Sequence, residues 1–180
     1  STETEGVDVA PSDIDLSATE NQLFSSIGRE HALRVVVHGW AEKQYDYIMV
    51  DCPPTLGLLT INSLVAADGV IIPVQTQYYS LKGFRALANL VTQIQGTGLN
   101  PRLRIMGILP TFYDGRTNLA KDMLAQLSEL GDYHVFDTIV KQTVRLGEAP
   151  LAGKPVTSYA SRSPAAASYR GLAQEVIDLG

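Results

Sequence analysis

The chain of 180 residues is long enough for one domain with a substantial hydrophobic core, and we expect residues 1–180 to form a single domain. Its 45% hydrophobic and 18% charged residues are typical of a globular protein, and no apolar run is long enough to cross a membrane. A single cysteine excludes an intrachain disulfide and argues against a cysteine-rich metal site. The polar, acidic start STETEGVD lacks the pattern of a secretory leader, so we expect a cytoplasmic protein.

The net charge of −5 is unevenly distributed along the chain. Residues 1–100 hold 5 Lys and Arg against 11 Asp and Glu, whereas residues 101–180 hold 9 against 8. This acidity argues against a wholly basic nucleic-acid-binding protein, but it permits a local basic face in the second half.

Short apolar runs alternate with longer segments of helical periodicity. In the first part of the chain, the predicted elements are a strand at 7–12, helices at 13–27 and 29–40, a strand at 47–51 and a helix at 58–66. They are followed by a strand at 69–74, a helix around 84–94, a strand at 103–110, a helix around 119–130, a weaker strand at 134–140 and a last helix from 164 to about 177. Because the strands are continuously apolar, the alternation predicts an α/β fold with three layers, a mainly parallel sheet with helices on both faces.

The stretch YDYIMVDCPPTLG, residues 45–57, runs from a predicted buried strand into an aspartate and two prolines. Ligands of parallel sheets bind beyond the carboxyl ends of the strands. Asp51 is therefore a candidate to hold Mg²⁺ through water and to position an attacking water, as a Walker-B aspartate does. The alternative is that Asp51 only caps the next helix. The two prolines favour the first interpretation because they fix a loop.

A carboxylate in this role needs a phosphate-binding loop, G-x-x-x-x-G-K-[ST]. The chain has one Gly-Lys pair, Gly153–Lys154, and the residue after it is Pro155, which has no amide hydrogen to offer. No glycine-rich turn follows a strand near the start. The phosphate-binding loop is therefore not within these 180 residues.

The segments APSDIDLSATE, DCPP, QYYSLKG, YDGRTN and VRLGEAP together resemble the ParA/Soj family of partitioning ATPases, a deviant-Walker branch of the P-loop proteins. The resemblance covers about residues 7–178. It implies a P-loop NTPase-like fold, of which this chain is the C-terminal two-thirds, with the N-terminal strands and their phosphate loop missing. For this chain alone it implies no ATP hydrolysis.

For the complete protein the resemblance implies ATP and Mg²⁺ as cofactors and a homodimer that forms around the nucleotide. It also implies non-specific binding to double-stranded DNA at the nucleoid and a ParB-type partner that stimulates hydrolysis during chromosome or plasmid segregation.

The resemblance also assigns roles to the nucleotide-side residues. Asp51 matches the Walker-B aspartate, and Pro53 begins the switch II loop. The family's proline and asparagine that border the adenine are Lys141 and Thr143 here. Contact with the base through these two side chains therefore departs from the family pattern, although their backbone groups remain available.

The DNA-side residues also follow from the resemblance. Arg116 and Arg145 match arginines that contact DNA without sequence preference in Soj-like proteins, and Lys154 is a weaker candidate for the same face. The alternatives are local ion pairs, Arg116 with Asp114 or Asp122 and Arg145 with Glu148.

Two other functions compete with a partitioning ATPase. One is a binding module that contacts DNA or a partner without nucleotide. The other is a MinD-like ATPase that cycles on membranes, which would use a basic amphipathic tail. The chain ends in the acidic AQEVIDLG, so we expect no membrane contact.

Overall fold

The computed structural model describes residues 2, 4–12, 16–76 and 80–180. The chain divides into two compact units, Ser1–Ala67 and Asp68–Gly180. The described part of the first unit is helical, whereas the second contains a small parallel sheet. A single domain over residues 1–180 stays a prediction.

The described part of the first unit contains three helices. They are α1 (Leu16–Leu23), α2 (Ala32–Gly39) and α3 (Leu58–Ala66), with short 3-10 turns at Arg29–His31 and Ala41–Lys43. The helix predicted at 58–66 is confirmed. The one predicted at 29–40 is divided into a 3-10 turn and α2. The one predicted at 13–27 is shorter, and residues 13–15 lie outside the described residues.

Two polar side chains position the helices of this unit. Buried Asn62 accepts from the backbone N of Leu33 through Oδ1 (3.1 Å). Its Nδ2 donates to the carbonyls of Arg29 (2.8 Å) and Leu58 (3.0 Å). Glu20 of α1 accepts the amide of Leu58 at 2.8 Å, and a carboxylate at this end of a helix is favourable. Asn62 thus has a structural role, since it joins the start of α2 to α3.

The strands predicted at 7–12 and 47–51 are not formed. Both segments are irregular and exposed, and 83% of the surface of Met49 is accessible. The backbone N–H and C=O groups of a strand need a neighbouring strand, and the described part of this unit contains none. The prediction was wrong because an apolar run specifies burial on a sheet only where the sheet is present.

Three parallel strands form the sheet in the described part of the second unit. They are β1 (Gly69–Gln75), β2 (Arg104–Tyr113) and β3 (Val140–Lys141), paired in the order β1-β2-β3. Its helices are α4 (Ser80–Gly96), α5 (Asn118–Ser128), α6 (Val144–Leu151), α7 (Val156–Tyr159) and α8 (Pro164–Leu179). The predicted strands at 69–74 and 103–110 and the last three predicted helices are therefore confirmed.

Helices cover both faces of this sheet. On one face the strand residues pack against α4 and α5, in a cluster that includes Ile72, Val74, Ile108, Phe84 and Leu127. On the other face they pack against α6 and α8, in a cluster that includes Leu109, Val140, Leu146, Leu172 and Val176. Successive strand residues point to opposite faces, which is why Ile108 and Leu109 belong to different clusters. The α/β fold with a parallel sheet between two helical layers is confirmed.

The weaker strand predicted at 134–140 is interrupted. The chain bridges to Ile108 of β2 at Val135, and pairing then resumes only at β3. Between these points, the amides of Asp137 and Thr138 each donate at 2.9 Å to the carboxylate of Glu175 on α8. A side chain therefore takes the donors that a continuous strand would give to the sheet.

Candidate nucleic-acid interface

The carboxyl ends of β2 and β3 bring two polar loops together. Tyr113 pairs with Lys141, and the amide of Gln142 donates to the carbonyl of Tyr113 at 3.1 Å. An open cleft of about 330 Å³ lies here, lined by Tyr113, Asp114, Gly115, Arg116, Lys141 and Gln142. We call it the β2–β3 cleft. It lies at the edge of the sheet where ligands of parallel α/β proteins bind.

Phe112 marks the point where β2 turns into the cleft. Its φ of 53° is in the left-handed region, which residues other than glycine rarely adopt. The pairing of β2 with β3 is irregular between Thr111 and Tyr113, on either side of it. Such irregularities redirect a strand and its side chains near functional sites.

Arg116 forms a bidentate ion pair with Asp114. Its Nε lies 2.9 Å from Oδ1 and its Nη2 lies 2.7 Å from Oδ2, while the Arg116 amide also donates to Oδ1 at 3.1 Å. These bonds lower the pKa of Asp114 from 3.8 to about 2, and they raise the pKa of Arg116. The guanidinium is nevertheless 89% exposed, so the ion pair lies open to solvent. The local pairing considered from the sequence is present.

Lys141 and Thr143 lie on the same connection. Lys141 ends β3 and is exposed in the β2–β3 cleft. Thr143 is the N-cap of α6, and its Oγ1 accepts from the amide of Arg145 at 3.4 Å. The Thr143 hydroxyl therefore has a structural role in this structure. An adenine contact for either residue stays a prediction.

A second open cleft, of about 560 Å³, lies where α6 and the turn before α8 meet. It is lined by Arg145, Tyr159, Ala160, Ser161, Arg162 and Ser163, and we call it the α6–α8 cleft. Arg145 Nη1 lies 2.8 Å from Oε2 of Glu148, which raises the pKa of Arg145. The hydroxyl of Tyr159 donates to the same Oε2 at 3.4 Å. The pairing of Arg145 with Glu148 considered from the sequence is present.

The Gly153–Lys154 pair ends a helix. Gly153 has a φ of +63°, and its amide donates to the carbonyl of Pro150 at 2.9 Å. The amide of Lys154 donates to the carbonyl of Ala149 at 3.1 Å. Both amides are therefore committed to the carboxyl end of α6 and do not form a phosphate cradle. Within the described part of the chain, the Lys154 ammonium makes no hydrogen bond or ion pair.

Asp51 and Pro53 belong to the first unit. Both are exposed in an irregular segment, because the strand that was expected to present Asp51 is not formed. Among the residues that the structure describes, no group of three or more His, Cys, Asp or Glu side chains could hold a metal ion. Part of the QYYSLKG segment, residues 77–79, lies outside the described residues.

The structure also contains site residues that sequence reasoning missed. Arg162 and Tyr159 line the α6–α8 cleft, and α6 itself was not predicted, because Gly147 and Pro150 disrupt its helical pattern. The sequence signal for this cleft was the pair Ser163–Pro164, which is typical of the start of a helix. The Ser163 Oγ caps α8, and the turn that contains Arg162 comes directly before it. Across residues 2, 4–12, 16–76 and 80–180, no helix is both long and apolar enough to cross a membrane.

This arrangement is that of the P-loop NTPase-like α/β proteins. The fold is similar to that of cobyrinic acid a,c-diamide synthase from Mycobacterium smegmatis, with a TM-score of 0.77 and 30% identity over 93% of this chain and 60% of that chain. The cell division ATPase MinD of Pyrococcus furiosus has a TM-score of 0.66 over 84% of this chain and 59% of its own. At 19% identity, the likeness to MinD concerns the fold alone.

Sequence comparison then defines the family. A family model described as an AAA domain matches residues 1–105. The chain is 43% identical to the sporulation initiation inhibitor protein Soj of Bacillus subtilis, over 99% of this chain and 70% of Soj. It is 40% identical to the chromosome partitioning protein ParA of Myxococcus xanthus, over 98% of this chain and 62% of that protein. The chain therefore belongs to the ParA/Soj family of partitioning ATPases.

The relatives are longer than this chain. A protein of Mycobacterium tuberculosis is 44% identical to it over 172 residues, which are 96% of this chain and 54% of the relative. The chain thus spans about half the length of that relative.

Proposed function

We propose that this chain is part of a cytoplasmic, nucleoid-associated partitioning ATPase. As an ATP-bound homodimer, the complete protein binds chromosomal DNA without sequence preference, and a ParB-type partner stimulates hydrolysis and releases it. The observation that carries the proposal is the pair of basic clefts in the second unit of a ParA/Soj chain. Each cleft is lined by two cationic side chains, Arg116 with Lys141 in one and Arg145 with Arg162 in the other.

The chemistry of these clefts suits a phosphate backbone. Guanidinium groups bind phosphate oxygens through two parallel hydrogen bonds, and Lys141 adds a point charge in the β2–β3 cleft. Lys154 lines neither cleft and stays a weaker candidate. One carboxylate pairs with an arginine at each cleft, Asp114 at the first and Glu148 at the second. Two cations against one carboxylate leave a positive balance at each site, although the whole chain is acidic. Since these contacts go to phosphates, they carry no sequence information.

The nucleotide side of the proposal rests on relatives. Cobyrinic acid a,c-diamide synthase, 34% identical over 74% of this chain, has been solved with bound ADP and magnesium. In the complete ATPase, Asp51 would hold Mg²⁺ through water and Pro53 would shape the adjoining loop. Lys141 and Thr143 would lie beside the base.

These 180 residues do not fit ATP by themselves. The amides of the one Gly-Lys pair are bonded to α6, and the chain offers no other phosphate loop. We therefore expect no ATP turnover by the isolated chain. Phosphate release from ATP and Mg²⁺, measured with purified chain and lost in Asp51→Ala, would contradict this expectation.

DNA binding is tested by fluorescence anisotropy of two labelled duplexes of unrelated sequence, titrated with the chain over a range of salt concentrations. We expect equal affinity for the two duplexes and a linear fall of log K with log salt concentration. Arg116→Ala and Arg145→Ala should each weaken binding to both duplexes. The matched control is Arg102→Ala, which removes an exposed arginine just before the amino end of β2. A strong preference for one duplex, or equal effects of all three variants, would contradict the proposal.

A nucleotide-independent binding module is the second candidate. It is favoured by the second unit, which has its own core and carries both clefts without needing nucleotide for either. The same titration with and without ATP separates the two functions. In the full-length parent protein, a partitioning ATPase should bind DNA more tightly with ATP, whereas a binding module should show no difference.

A further inference from the structure

We propose that Arg162 is a further DNA contact, which completes a phosphate-binding site in the α6–α8 cleft together with Arg145. The proposal rests on the DNA binding proposed above and extends it to a residue that was not predicted from the sequence. The ligand would be one phosphodiester group of the backbone of double-stranded DNA.

The Arg162 side chain is available for a ligand. It is exposed, it lines the cleft, and within the described residues its guanidinium makes no hydrogen bond or ion pair. All five N–H donors of the group are therefore free to bind an anion. Arg145, on the other wall, is only partly committed. Its Nη1 lies 2.8 Å from Oε2 of Glu148 and its side chain also interacts with the Tyr159 hydroxyl, but 53% of the side chain remains exposed.

The backbone that carries Arg162 is held in place. The amide of Ser163 donates to the carbonyl of Ala160 at 2.8 Å and closes a tight turn that contains Arg162. The guanidinium of Arg170 on α8 donates to the carbonyls of Ser161 (2.9 Å) and Thr157 (3.2 Å). These two hydrogen bonds from Arg170 hold the turn against α8. Less ordering of the backbone is needed when a ligand binds to a turn that is already fixed.

The lining of the cleft suits an anionic phosphodiester better than a neutral ligand. It is open, and its lining combines two arginines with hydroxyl-bearing side chains, Tyr159, Ser161 and Ser163. Glu148 lies against Arg145 and offsets one positive charge, so the site keeps the charge needed for one phosphate. A guanidinium pair around a phosphate oxygen is a strong, charge-assisted arrangement.

The test is the salt dependence of DNA binding by the full chain with Arg162→Ala. Removal of one phosphate contact should make the slope of log K against log salt concentration shallower by about 0.9. With equal affinities at 1 M salt, this corresponds to an affinity about eightfold lower at 0.1 M salt. Arg162→Lys keeps the charge and should keep most of the slope. Arg102→Ala, the matched control, should leave the slope unchanged. Circular dichroism should be the same for the two Arg162 variants as for the unaltered chain, because the Arg162 guanidinium has no partner to lose among the described residues.

The outcomes separate this inference from the proposed function. If the unaltered chain binds DNA and Arg162→Ala has the same slope, the Arg162 contact is wrong while non-specific DNA binding stands. If Arg162→Ala and Arg102→Ala lower the slope equally, the effect is one of net charge and the site is also wrong. If the unaltered chain shows no salt-dependent binding to DNA, both proposals fall.

Discussion

Replacement of Asp114 by asparagine should strengthen DNA binding. In the structure the Arg116 guanidinium is bonded to the Asp114 carboxylate through Nε–Oδ1 at 2.9 Å and Nη2–Oδ2 at 2.7 Å. A DNA phosphate must displace that carboxylate and also approach its negative charge. Asparagine keeps the side-chain oxygen that accepts the Arg116 amide at 3.1 Å, so the turn is expected to survive while the charge is removed.

The size of the effect follows from counting phosphate contacts. If Arg116 gains one full contact in the variant, the slope of log K against log salt concentration becomes steeper by up to about 0.9. When the salt concentration is lowered from 200 to 50 mM, the ratio of the variant's affinity to that of the unaltered chain would then grow by up to about 3.5-fold. The gain should be largest at low salt, because screening weakens the new contact.

Fluorescence anisotropy over a salt series measures this effect. Asp132→Asn is the matched control, since it removes the same charge from an exposed residue in the loop between α5 and β3. The Asp114→Asn change should also have no effect in a chain that already carries Arg116→Ala. The reasoning is refuted if Asp114→Asn and Asp132→Asn raise the affinity equally, or if the gain persists without Arg116.

Two further predictions concern the same ion pair and the first unit. Arg116→Gln should move the pKa of the Asp114 carboxyl, followed by NMR, from about 2 back towards 3.8. Because the pKa is lower in the folded chain, the ion pair stabilises the fold at pH values above the unfolded pKa of 3.8. This stabilisation is lost as the pH falls towards 2. An unchanged midpoint would show that the guanidinium is not the cause. Asn62→Ala should lower the free energy of unfolding by about 2–4 kcal/mol in denaturant titrations, because partners of three hydrogen bonds are stranded, whereas the exposed Asn21→Ala should change it little.

The sequence predicted the second unit well because its signals are local. The apolar runs of β1 and β2 lie on a sheet that is present, so each run is buried as its pattern indicates. The apolar stripes of α4, α5 and α8 likewise contact that sheet. Where a side chain from elsewhere competes for backbone donors, as Glu175 does at Asp137 and Thr138, periodicity carries no signal of it.

The prediction of a strand at 47–51 was wrong for a related reason. Its composition indicates a strand covered on both faces, but burial is a property of the neighbours, and the described part of the first unit has no sheet. Asp51 was predicted as the residue that follows this strand, so its position at a sheet edge depended on the same missing partners. Arg116 follows β2 and Lys141 ends β3, and because these strands do pair, both residues lie at a sheet edge; their binding roles stay predictions.

The ion pairs at the two clefts bear on how an acidic chain would present the proposed DNA-binding face. Each paired arginine lies in an exposed, solvent-screened contact, and such contacts add little to folding stability. When a phosphate replaces the carboxylate, the arginine therefore exchanges one weak ion pair for another of the same chemistry. The folding stability of the chain changes little. The carboxylates Asp114 and Glu148 would then lower the affinity of the free clefts for anions in general. Only a ligand with many phosphates in a row, which engages both clefts at once, overcomes both carboxylates together. Short oligonucleotides and free phosphate are therefore expected to compete poorly with a long duplex. The proposed preference for polymeric DNA would then depend on two acidic residues that do not themselves contact phosphate.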